Sequence, residues 1–183
     1  MGPLLSVSHA IDVVNRLVSR LAVWAVLVAC VVSAGNAAIR YLLSYSSNAW
    51  LEVQWYLFTV IVMLGAGYTL LRNEHVRVDL VYGNLPPRAR LWVDVVGLIL
   101  FLGPAMALLA WMTWPFFLDS WTRQESSSNA GGLLRWPVKL ILPIGFALIF
   151  LQGISELIKR IAALKGTRTG EVELVSEYVR PEQ

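Results

Sequence analysis

LEVQWYLFTVIVMLGAGYTLL, residues Leu51–Leu71, carries one charged side chain, Glu52, in its first turn and none after it. A bilayer core about 30 Å thick needs roughly 20 mostly apolar residues as helix, because no water is present there to bond the backbone. This stretch meets that length. Three others of the same kind lie around it: Leu21–Ile39, Trp92–Phe117, and a last one from Pro137 or Leu140 to Ile158, all without a basic residue at the centre. The fold expected is all-α and integral to a membrane, with four transmembrane helices at residues 21–39, 51–71, 92–117 and 137–158.

Composition agrees. Of 183 residues, 57% are hydrophobic and 15% charged, with a mean hydropathy of +0.61, far from a water-soluble balance. The net charge is only +3, and the basic residues sit between apolar runs instead of forming a stripe that could follow phosphates. Nucleic acid is therefore no expected partner. The single cysteine, Cys30, lies inside an apolar run, so neither an intrachain disulfide nor a cysteine metal cage is available.

The segments between the spans set the orientation. With a cytoplasmic amino terminus, the cytoplasmic side holds Arg16, Arg20, Arg72, Arg77, Arg88, Arg90, Lys159, Arg160, Lys165 and Arg168. The other side holds only Arg40, Arg123, Arg135 and Lys139. Positive residues favour the cytoplasm, so both termini are expected there. Tryptophans mark the interfaces, with Trp24 and Trp92 at the inner one and Trp50, Trp55, Trp111, Trp114 and Trp136 at the outer one.

Residues 1–20 carry apolar Ile11, Val14, Leu17 and Val18 and are expected to form a cytoplasmic amphipathic helix on the membrane surface, running directly into the first span. Arg16 and Arg20 before an apolar run ending in Val32-Ser-Ala34 resemble a signal peptide, but the run is longer than the roughly 7–15 residues of such segments. The membrane domain is read as 21–161 and a polar cytoplasmic tail as 162–183. Between the second and third spans, Val78, Val81, Tyr82 and Leu85 suit one face of a short interfacial helix.

The chemistry available is sparse. The only histidines, His9 and His75, lie outside the spans, which removes haem or metal ligation within the bilayer. There is no nucleophile triad, phosphate-binding glycine loop or zinc-protease motif, so no catalytic role is expected. Ionisable residues at membrane depth usually mark an ion path. Here Glu52, Asp94 and Glu156 sit at span ends, within reach of water or headgroups, with Asp94 placed to pair with Arg90 and Glu156 with Arg160. Glu52 is read either as the capping carboxylate of the second helix or as a specific interhelix or interprotein partner. Asn36 and Gln152 are deeper and suit hydrogen bonds across helices. Ala25, Ala29, Ser33 and Ala37 recur every four residues, a stripe that lets another helix come close, from this chain or a partner. Gly65-Ala-Gly67 suits a close helix contact, and Pro104 and Pro143 should bend the third and fourth helices.

Several blocks resemble the small membrane subunit of tripartite ATP-independent periplasmic (TRAP) transporters, the DctQ-like family. They are Trp50-Leu-Glu52-Val-Gln54-Trp55; Gly65-Ala-Gly67-Tyr-Thr-Leu-Leu-Arg72-Asn-Glu-His75-Val-Arg77-Val-Asp79; and Leu85-Pro-Pro-Arg88-Ala-Arg90. A further block is similar to the mannitol or chloroaromatic subgroup: Glu125-Ser-Ser-Ser-Asn129-Ala-Gly-Gly132-Leu-Leu-Arg-Trp136-Pro137, followed by Leu142-Pro143-Ile-Gly145 and Gln152-Gly-Ile-Ser-Glu156.

The resemblance implies a division of labour in a bacterial inner membrane. A periplasmic binding protein captures an organic acid, and a large permease subunit binds sodium and carries the substrate. The small subunit packs beside the permease without a cofactor of its own. It implies partner-interface candidates Glu52, Gln54, Trp55, Ala25, Ala29, Ser33 and Ala37, and binding-protein docking candidates Arg123, Glu125, Ser126, Asn129 and Arg135. Arg72, His75, Arg77 and Asp79 would form a cytoplasmic structural motif. The competing readings are the membrane anchor of a redox complex and a small oligomeric channel.

Overall fold

The computed structural model describes residues 2–45, 47–75, 82–129 and 131–165. Four helices in it are long and apolar enough to cross a membrane: α1 (Gly2–Leu43), α2 (Asn48–Leu71), α3 (Pro87–Thr122) and α4 (Trp136–Leu164). An even number of crossings puts residues 2 and 165 at one end of the bundle, called here the terminal end. The α1–α2 and α3–α4 connections lie at the opposite, or loop, end.

Local sequence explains where each helix starts and stops. Ser47 caps α2 by accepting from the Ala49 amide at 3.3 Å, and Pro87 opens α3, where its missing N–H costs nothing. Left-handed residues close α1, α2 and α3: Ser44 (φ 50°), Asn73 (φ 56°) and Gln124 (φ 49°). After α2 and α3 the reversed backbone bonds are present, from the Glu74 amide to the Thr69 carbonyl and from the Glu125 amide to the Ser120 carbonyl, each 3.0 Å.

α4 is the hub. It packs against α1, α2 and α3, while α1 and α2 also pack on each other. Close approach depends on glycine. A Cβ on Gly145 of α4 would lie 2.7 Å from the Met63 side chain of α2, and one on Gly153 would lie 2.7 Å from Leu102 of α3. Opposite Gly153, α3 widens into a π turn over Leu98–Leu102, in which the Gly103 amide reaches back to the Leu98 carbonyl. Pro104 explains it, since its ring would collide with the carbonyl four residues back in a regular α-helix. The disturbance expected at Pro104 thus takes the form of a π turn, while α4 continues as one helix through Pro143.

The first span extends far beyond its apolar centre. At 1.5 Å per residue, the 42 residues of α1 measure about 63 Å, twice the hydrocarbon thickness. No break separates residues 2–20 from the span, so the segment expected to lie on the membrane surface continues the same helix. The face packed on protein is the polar one, Ser8, Asp12, Asn15 and Ser19, and the apolar Val14 and Leu17 point outward. The interfacial helix expected around Val78–Leu85 is described only from Tyr82, where a short 3₁₀ turn covers Tyr82–Asn84. Val78 and Val81, and the tail beyond Lys165, lie outside the described residues.

Candidate functional site

On α1, Ser8, Asp12, Asn15 and Ser19 are separated by four, three and four residues, which lines them up on one helix face. On α4, Gln152, Ser155, Glu156 and Lys159 do the same. The two faces meet at the terminal end. Gln152 is the relay, because a carboxamide both donates and accepts. It accepts from Asn15 Nδ2 at 3.0 Å and donates to Asp12 Oδ1 at 2.9 Å and Glu156 Oε1 at 3.2 Å. Ser155 donates to Asp12 Oδ1 at 2.7 Å, with the Ser8 hydroxyl 2.7 Å from its own. Lys159 Nζ lies 2.6 Å from Asp12 Oδ2 and 3.1 Å from Glu156 Oε1.

The network continues to α3. Arg160 pairs with Glu156 on its own helix and with Asp94 Oδ2 at 2.8 Å, and Tyr82 donates to Asp94 Oδ1 at 3.1 Å. Asp12 and Gln152 are fully buried, and Lys159 and Arg160 nearly so. Charges removed from water in this way are tolerable only when paired and hydrogen-bonded, a condition these side chains meet. Three carboxylates against two cations leave one negative charge, offset by amide and hydroxyl donors. Asn15 is seated by Gly67, since any Cβ there would overlap Asn15 Oδ1. The close contact expected of Gly65-Ala-Gly67 is therefore made to a side chain of α1.

This cluster corrects the expectation that ionisable groups at the span ends are solvated. Packing of α1 along α4 seals Asp12, Glu156, Lys159 and Arg160 from solvent. The expected Glu156–Arg160 pair is present. The expected Asp94–Arg90 pair is not: Asp94 goes to Arg160, and Arg90 donates instead to the Leu85 carbonyl at 2.9 Å and the Gly83 carbonyl at 2.7 Å. Arg90 thereby fastens the 3₁₀ turn to the start of α3.

At the loop end, the α3–α4 connection doubles back as a small hairpin. Ser126 and Leu134 form an antiparallel bridge, the Ser127 amide donates to the Leu133 carbonyl at 2.9 Å, and Gly131 (φ 71°) turns the chain. Glu52 holds this hairpin to α2. Its carboxylate accepts from the Ser127 hydroxyl, from Asn129 Nδ2 at 2.8 Å and from the Leu133 amide at 2.7 Å. Tyr56, one turn on, donates to the Leu134 carbonyl at 3.0 Å. Of the two readings of Glu52, an interhelix partner comes closer than a helix cap, with the hairpin as what it grips.

On the hairpin's other strand, Glu125 pairs with Lys139 of α4 and lies 3.5 Å from Arg135. The hydrogen bond from the Lys139 ammonium holds the Glu125 carboxyl below the usual carboxylate range. A cleft of about 590 Å³ opens between hairpin, α2 and α4, lined by Leu51, Glu52, Trp55, Arg135, Val138 and Lys139 among others.

The remaining sequence candidates scatter. Trp55 is 76% exposed. Arg123 pairs with Asp119 in its own last turn, at 2.7 Å, and with no other carboxylate among the described residues. Arg72 lies 3.5 Å from Glu74, His75 is exposed, and Arg77 and Asp79 lie outside the described residues. Along the small-residue stripe, Ala25 is buried and Ala29 half-buried, whereas Ser33 and Ala37 are open. Asp12 and Asn15 escaped the sequence reading, and Lys159 and Ser155 were read only as a cytoplasmic charge and as part of the Gln152–Glu156 block. The signal was there in the four-three-four spacing of polar residues on α1.

The buried polar groups hold the helices to one another, and the fold is that of a small all-helical protein whose four long helices are apolar enough to cross a membrane, built around an interhelix polar joint. The family model for the DctQ component of tripartite ATP-independent periplasmic transporters matches residues 29–163, and the chain belongs to that family. No curated protein gives a match. The family makes the chain a transporter component, and its four apolar helices accord with a multi-pass protein of the inner membrane.

Proposed function

We propose that this chain is the non-catalytic small subunit of a sodium-coupled TRAP transporter for organic acids, packing against the scaffold of the large permease. Its termini face the cytoplasm and its hairpin faces the periplasm, where Glu125, Ser126, Asn129 and Arg135 are placed to meet the binding protein. The observation that carries this reading is the family match, which runs from within α1 almost to the end of α4. The internal pairing of the buried charges supports it, because a carboxylate already held by Lys159 or Arg160 is a poor carrier site for a moving ion. Ion and substrate chemistry then belong to the permease, and the small subunit needs no cofactor. The resemblance of the Glu125–Pro137 block points to the mannitol or chloroaromatic subgroup.

Co-expression of the tagged chain with the permease tests the assignment. A detergent-stable complex of the two polypeptides is expected, and a chain that elutes alone or only with copies of itself would contradict it. For the orientation, a cysteine at Ser128 should react with an impermeant maleimide on intact cells, and one at Ser6 only after lysis.

A further inference from the structure

Asn36, Gln54 and Arg40 converge on a groove of about 460 Å³ between the loop-end halves of α1 and α2, whose walls are Ser33, Ala37, Tyr41 and Leu51. None of the three has a side-chain hydrogen bond or ion pair among the described residues. Other amides and charges on packed faces have partners among the described residues: Asn15 Nδ2 with Gln152, Glu52 with the hairpin, Lys139 with Glu125. Asn36 lies inside the charge-free stretch 21–39, about 10 Å along the helix from its end at Leu43. There a carboxamide without a partner is costly, which favours a partner supplied by another helix seated in the groove.

The walls say what kind of partner. Ser33 and Ala37 continue the stripe whose other end, Ala25, is already buried by packing within the chain. Small residues on the wall admit a helix backbone at close range, which a lipid tail does not require. Beyond them Arg40 stands at the outer rim, a guanidinium suited to a carboxylate. We infer that this groove is the seat of a transmembrane helix of the large permease subunit, one that offers hydrogen-bonding side chains to Asn36 and Gln54 and an acidic residue to Arg40. The inference rests on the proposed function and adds to it which face is used and by what chemistry. Of the interface candidates read from the sequence it retains Ser33, Ala37 and Gln54 and releases Ala25, Ala29, Glu52 and Trp55, which do not line the groove.

Photo-crosslinking in membranes containing the full chain and its permease tests this. A photoreactive residue at Ala37 should capture the permease, and one at Ala38, on the far side of α1, should not. The Ala37→Trp variant should lower permease recovery about tenfold or more while its own amount in the membrane is unchanged, as expected when a bulky residue fills a close helix contact. Capture from Ala38 but not Ala37, capture of lipid or of a second copy at Ala37, or undiminished recovery with Ala37→Trp would overturn the groove assignment while leaving the subunit assignment standing. Failure of the wild-type chain to recover any permease would instead overturn both.

Discussion

At the terminal end, side chains of α1, α3 and α4 are joined to one another by buried ion pairs and carboxamide bonds; at the loop end, one carboxylate on α2 holds a surface hairpin. The difference lies in what each joint secures. Removing a partner from the first strands a charge with no water to accept it, whereas the second releases donors that water can satisfy. The terminal-end joint should therefore govern whether helices assemble. The loop-end joint should govern only the shape presented to solvent.

The largest effect that would break this contrast is expected from Asp12→Ala. It leaves Lys159 with only Glu156 and deprives Gln152 and Ser155 of an acceptor, at about 3–5 kcal/mol by analogy with other broken buried pairs. Reversible unfolding in mixed micelles would measure it. Asp12→Leu combined with Lys159→Met should recover most of that loss, since an apolar pair of similar volume needs no desolvation. Next is Gly67→Ala, whose methyl group collides with Asn15 and should cost about 1–3 kcal/mol in the same assay, while Gly35→Ala, with open space around it, should cost nothing comparable.

Glu52→Ala sharpens the other side. Hydrogen exchange at Ser127 and Leu133 should quicken by about tenfold or more, with no change in α4 near Gln152. The smallest effect is pH-dependent. Because the Glu125 pKa is lowered in the folded protein, its contribution is present above the ordinary carboxylate range and lost as pH falls through the lowered value. Protection of the Arg135 amide, which donates to the Glu125 carbonyl at 2.8 Å, should hold constant near neutrality and fall in strong acid, and Glu125→Gln should reduce that fall.

The four spans were legible because an apolar run of such length, with charges only near its ends, has no alternative in water, and Leu51–Leu71 alone reveals the rule. Family membership was legible through blocks such as Trp50–Trp55, whose order along the chain survives without any knowledge of packing. The polar joint was not. Glu156 and Arg160 read as an ordinary pair one turn apart, and the burial of Asp12 depends on α1 continuing unbroken past its apolar centre to lie along α4. Only the complementary stripe on α4, distant by about 140 residues in sequence, makes the α1 stripe meaningful. Glu52 was recognised as special, but its partners belong to a hairpin whose turn rests on a left-handed glycine in a run of small polar residues.

Uptake by proteoliposomes tests the central claim most directly. With the permease, the binding protein and this chain together, a sodium gradient should drive accumulation of an organic acid. Omitting this chain should abolish accumulation, and this chain alone should give none. Full sodium-driven uptake by permease and binding protein without it would contradict the account.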